Sequence, residues 1–245
     1  MFGFGAKLPV EEEVRLWVDE GFVRLSQLLG RERMLRAQVV LPEDRFFPDP
    51  FDGSRESVLA MAARVATYMG VPRDSITAEI YAEDEDTWRE SLPVGYGASA
   101  DAGGLYFHQQ QDGRFLIGVH AKKLKDPVAL AATLAHELVH VLLLGGGLLD
   151  PEVVDMEPLT DLATVFLGMG VLNASAAFQF KQWTDGHMQG WSTQKSGYLP
   201  ETVWGYALAR FAQERNERDP AWAKMLPKNV RVYFAQSSKW LRVHG

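Results

Sequence analysis

The 245-residue chain contains no cysteine. Disulfides, thiolate nucleophiles and sulfur-ligated metals are thereby excluded, and any metal must be held by nitrogen and oxygen donors. Basic residues are in the minority, 25 Lys and Arg against 32 Asp and Glu, which gives a net charge of −7. Nucleic-acid binding as a main activity is not expected, because phosphate contacts need a basic surface. No run of about 18 uninterrupted apolar residues occurs. The stretch Met1 to Gly5 has no basic segment ahead of an apolar one, and no repeat, low-complexity tract or flexible linker is found. These absences lead to the expectation of a soluble cytoplasmic protein that does not engage a membrane. Hydrophobic residues make up 47% of the chain, enough to bury a large core as one compact unit or two closely packed lobes.

Histidine is also scarce, six in all, yet two of the six fall in His136-Glu137-Leu138-Val139-His140. On a helix, positions four apart share a face, so both imidazoles can reach one cation with Glu137 beside them. The setting favours a helix. Asp126 and Pro127 make an N-cap and first helical residue, and Gly145-Gly146-Gly147 makes a stop, so the spacing predicts a helix from about Pro127 to Leu144. Val128, Leu130, Leu134, Leu138, Val141 and Leu142 make it apolar nearly all round, the pattern of a buried helix. Two histidines and a glutamate in such an interior are costly unless compensated, and a bound metal compensates them. Zinc held by three protein ligands keeps one position for water and needs a carboxylate to take its proton, a role that Glu137 is placed to fill.

After sixteen intervening residues, Glu157-Pro158-Leu159-Thr160-Asp161 opens a second predicted helix, with Asp155 as N-cap, running to about Asn173. Glu157 and Asp161 share its face. With both motifs in place, the region from about Phe115 to Asn173, less than a third of the chain, resembles the zincin metallopeptidases, specifically the gluzincin branch. The resemblance implies that His136, His140 and Glu157 bind zinc, that Glu137 is the general base, and that Asp161 accepts a hydrogen bond from a ligating imidazole, as ligating histidines commonly require. Asp150, Asp155 and Asp161 remain alternative ligands, and Glu157 also suits a plain helix N-terminus. The branch with a third histidine is excluded, since Leu143 and Gly146 stand where it needs Gly and His.

Upstream, Leu105 to His108 and Arg114 to Val119 flank Asp112-Gly113 as a β-hairpin. In zincins the strand before the active-site helix is a sheet edge that pairs with extended substrate. By that resemblance Phe115, Ile117 and Val119 are the substrate-binding candidates. His108 and His120 read as surface or hairpin side chains rather than ligands. Ser54 to Met69 is a predicted helix ended by Gly70, Ser75 to Tyr81 a half-buried strand, and Val10 to Leu29 another helix. The proline-rich stretch Leu41 to Pro50 is either a cleft cover or a packed connector. Glu83 to Asp86 is an acidic run that reads as a solvated loop. For the oxyanion of a tetrahedral intermediate, gluzincins commonly use a Tyr or His beyond the second helix; Tyr198 and His187 are the candidates, with Tyr206 third. Pro200-Glu201 opens a helix to about Asn216, and Asn229 to Val243 is ambiguous between helix and strand.

The expectation is an α+β, zincin-like fold: a small mixed sheet with an edge strand above the metal helix in an N-terminal lobe, 1–175, followed by a mainly helical lobe, 176–245. The expected activity is zinc-dependent hydrolysis of a peptide or protein substrate. A non-catalytic scaffold using zinc structurally is the alternative.

Overall fold

The computed structural model describes residues 7–82, 98–101, 104–109, 112–184 and 199–244. Its elements are α1 (Glu12–Leu25), α2 (Arg31–Arg36), α3 (Arg55–Met69), β1 (Ile76–Tyr81), β2 (Ala98–Asp101), β3 (Gly104–Gln109), β4 (Phe115–His120), α4 (Pro127–His140), α5 (Met156–Phe166), α6 (Gly170–Thr184), α7 (Glu201–Glu214) and α8 (Lys228–His244). They fall into two units. One takes the described residues of 42–160, the other those of 7–41, 161–184 and 199–244.

The division expected at residue 175 is therefore corrected, because the boundary lies inside α5, between Thr160 and Asp161. The cause is non-local. The apolar face of α1 has no partner nearby in sequence and buries against late elements, with Phe22 packed 6.2 Å from the ring of Phe166.

In the unit of 42–160, α3 begins at Ser54, whose side chain accepts from the Ser57 N–H, and ends at Gly70 as its sequence predicts. It packs on β1 and α4. The proline-rich connector before it is packed, not a cover: Phe46 is buried, its carbonyl accepts the Tyr68 hydroxyl at 2.7 Å, and both Phe46 and Phe47 meet the Tyr68 ring edge-on. The four strands lie in the order β1-β4-β3-β2. The predicted hairpin forms, β3 antiparallel to β4 with an irregularity between Tyr106 and Gln109.

The edge-strand expectation is overturned. Strand β4 pairs with β3 on one side and parallel with β1 on the other, Ile76 opposite Phe115 through Tyr81 opposite His120. Its N–H and C=O groups are committed to two ladders, leaving none for an extended peptide, and Ile117 and Val119 are fully buried while Phe115 is half-buried. Ile117 and Val119 are core residues, and Phe115 stands at the margin of the core. Among the described strands the edges are β1 and β2.

In the other unit, the long N-terminal helix is interrupted by a wide π-type turn at Ser26–Gly30, after which α2 continues. The Arg215 guanidinium donates to the carbonyls of Met34 and Ala37, satisfying the end of α2. The helix that carries Glu157, α5, is shorter than its pattern suggests. It stops at Phe166 because Gly168 takes φ +84°, and a Cβ there would lie 2.3 Å from the Gln38 carbonyl oxygen. The ambiguous tail is helix α8, crossing α7 so closely at Gly205 that a Cβ would meet Tyr233 Cβ at 2.4 Å.

Candidate metal centre

Helix α4 starts as its sequence requires: Asp126 Oδ1 accepts from the N–H groups of Val128 and Ala129, each at 3.0 Å, with Pro127 in the first turn. From Leu130 to His140 every residue is buried. The stretch Pro127–Gly145 is long and apolar enough to cross a membrane by composition, and 72% of its most apolar window is buried by the fold, as in a core helix. His136, Glu137 and His140 are 4%, 2% and 1% exposed. Polar side chains at such depth need partners of opposite character. Beyond the wide turn Val141–Gly145, a loop held by Leu148 and Leu149 N–H groups on the Leu143 carbonyl returns the chain to α5.

That return brings Glu157 to the histidines. Glu157 Oε2 lies 2.9 Å from His136 Nε2, and Oε1 lies 3.5 Å from His140 Nε2. The two imidazoles meet edge to face, 5.1 Å between ring centres. One donor atom from each of the three residues lies within 4.8 Å of the others, and this is the one such group among the described residues. Burial pushes the Glu157 carboxyl up, but hydrogen bonds and charge from His136 and His140 outweigh it and hold the group well below the usual carboxylate range.

The donor set suits zinc in chemistry and in spacing. Tetrahedral zinc with bonds of about 2.0–2.1 Å holds its donors about 3.3 Å apart. The His140–Glu157 separation of 3.5 Å is close to that, and the His136–Glu157 contact of 2.9 Å needs to open by a few tenths of an ångström, a side-chain adjustment.

Compared with known proteins, the chain matches no family model, no curated protein and no solved structure. The centre therefore rests on its own geometry.

Of the alternative ligands, Asp150 caps its own loop, accepting from the Glu152 N–H at 2.9 Å. Asp161 is fully buried, and its Oδ2 accepts from the Leu199 N–H at 2.9 Å. Tyr206 is not an oxyanion donor: its hydroxyl donates to Asp19 at 2.9 Å, in a cluster where Asp19 also pairs with Arg15 and Arg210. Tyr198 and His187, like the acidic run Glu83 to Asp86, lie outside the described residues. His120 serves the chain turn, its Nδ1 accepting from the Lys122 N–H at 3.1 Å while its ring meets Tyr81 at 5.0 Å. His108 lies on β3.

Two features near the centre escape the motif reading. Lys123, in the turn Ala121–Lys125 ahead of α4, faces inward while Lys122 and Lys125 are exposed. Burial pushes its ammonium down, against the pull of the Asp126 and Glu137 carboxylates. A cluster of three lysines just before α4 was the available signal. The second feature is Thr133, four residues before Glu137, whose side chain is buried.

Proposed function

We propose that the protein is a zinc-dependent peptide hydrolase in which His136, His140 and Glu157 hold the metal and Glu137 is the general base. The observation that carries this reading is the convergence of the three donor atoms within 4.8 Å beside the buried Glu137. Bound zinc would supply polarisation of a carbonyl and a water acidic enough to be deprotonated near neutral pH. Glu137 takes the proton of the attacking water and delivers it to the departing amine nitrogen. It is adjacent to a ligand without being one, and a purely structural centre has little use for a buried carboxylate there. Asp161, one turn after Glu157 on α5, is assigned the second N–H of a ligating histidine, which would fix the tautomer that presents Nε2. The substrate class is peptides or proteins.

A second reading, a non-catalytic scaffold in which zinc ties α4 to the start of α5, is favoured by one observation. The strand expected to receive an extended peptide is paired on both sides. The two readings part on a single experiment: zinc analysis of the purified protein joined to a peptide-library cleavage assay with and without chelator. Hydrolysis that stops on chelation, with Glu137→Gln retaining zinc and losing activity by about 10²–10⁴-fold, is the expected result. Zinc without turnover establishes the scaffold, and a Gln variant as fast as the parent ends the role of Glu137.

A further inference from the structure

Buried hydroxyls in helices ordinarily donate to a carbonyl one turn back, which satisfies them at little cost. The chain follows this habit at Ser175 with the Val171 carbonyl, at Ser57 with Ser54 and at Thr164 with Asp161, at 2.7 to 2.9 Å. Thr133 and Thr160 depart from it. They are 4% and 0% exposed, and neither hydroxyl has a hydrogen-bond partner among the described residues. A buried polar atom left this way costs stability, so its retention calls for a reason.

Both lie beside the metal centre. Thr133 is one turn before Glu137 on α4, and Thr160 is one turn after Glu157 on α5. Positions three or four apart bring Cβ atoms to about 5–6 Å, a span that a hydroxyl and a carboxylate can close through one water. The only other helical hydroxyls in this condition among the described residues are Ser237 and Ser238 on α8, and neither has an acidic residue three or four positions away. The two threonines of the site are thus distinguished by what stands next to them: the two carboxylates that the proposed reaction needs in fixed orientations.

We propose that Thr133 and Thr160 are positioning residues, their hydroxyls donating through one water to the carboxylates of Glu137 and Glu157. Thr133 would hold the Glu137 carboxylate turned toward the attacking water. Thr160 would hold Glu157 so that one oxygen stays directed at the metal. Threonine is suited to this because its branched Cβ restricts the rotamer and its methyl fills the core.

The inference rests on the assignment of Glu137 as base and Glu157 as ligand, and the test separates the two. The zinc-loaded protein is compared with Thr133→Val, Thr133→Ser, Thr160→Val and Thr160→Ser. Valine keeps the shape and removes the donor; serine keeps the donor. Expected are a roughly 10- to 100-fold fall in kcat for Thr133→Val with KM and zinc content unchanged, a roughly 10-fold weaker zinc affinity for Thr160→Val, and recovery of most of each loss in the serine variants. A high-resolution crystal structure of the zinc-loaded parent gives a readout independent of turnover, the partner of each hydroxyl. If the parent cleaves no peptide, the hydrolase reading fails, and the partners of the hydroxyls together with zinc affinity still decide this proposal. Valine variants that match the parent in kcat and zinc affinity, or hydroxyls bonded to the Ala129 and Met156 carbonyls, overturn it.

Discussion

Replacing Glu157 with alanine tests the centre most directly. Its carboxylate brings ligand oxygens from α5 to the pair of imidazoles on α4, within 2.9 and 3.5 Å of them. Structural zinc sites with four protein ligands bind with apparent free energies of about 10–16 kcal/mol, roughly 2.5–4 kcal/mol per ligand. Water can replace the missing oxygen, because the Glu157 side chain is 25% exposed, so the expected loss is at the low end, about 3 kcal/mol, or roughly 100- to 200-fold in affinity. The assay is competition for zinc against a chromogenic chelator at neutral pH, with metal content measured after gel filtration and circular dichroism confirming that the variant is folded. Asp150→Ala is the control and should bind as the parent does, since Asp150 is engaged in its own loop. If Glu157→Ala binds zinc within a few-fold of the parent, the third ligand is another residue and the convergence seen here is packing alone.

Two further outcomes concern the frame that presents the site. Gly205→Ala should lower unfolding stability by about 1–3 kcal/mol in a denaturant titration, because its Cβ would sit 2.4 Å from Tyr233 Cβ and 2.9 Å from the Phe234 nitrogen where α7 crosses α8, and backbone cannot yield there as a side-chain tip can. No change would mean that the crossing is looser than described. Asp52 accepts from the Ser54 N–H at 2.9 Å at the start of α3, and hydrogen bonds from the Ser54 hydroxyl and N–H and from Ser57 hold its carboxyl down to about 2. A carboxyl lowered on folding contributes stability that is complete above its unfolded value near 4 and is lost as the pH falls toward 2. The Tm difference between the parent and Asp52→Ala should therefore shrink over that interval, and a difference independent of pH would rule out the ionised cap as its source.

The parts of the centre that sequence made legible are those set by local rules. A cap at Asp126, proline after it and two histidines four apart fix which face of α4 carries the imidazoles, whatever the rest of the chain does. Glu157 is legible for the same reason, lying in the first turn of a helix whose start the sequence marks. What sequence concealed depends on partners distant in the chain. Whether β4 is an edge is decided by β1, which docks in parallel register from some forty residues earlier, and nothing within Phe115 to His120 records that event. The end of α5 is set by the Gln38 carbonyl, which forbids a side chain at Gly168 and turns an isolated glycine into a stop. The same distinction bears on function. The proposed metal chemistry rests on spacing within two helices, so the correction of the sheet does not bear on it. Substrate recognition was inferred from a strand's place in the sheet, so it does not survive, and any peptide this site cleaves must be held by something other than pairing with β4.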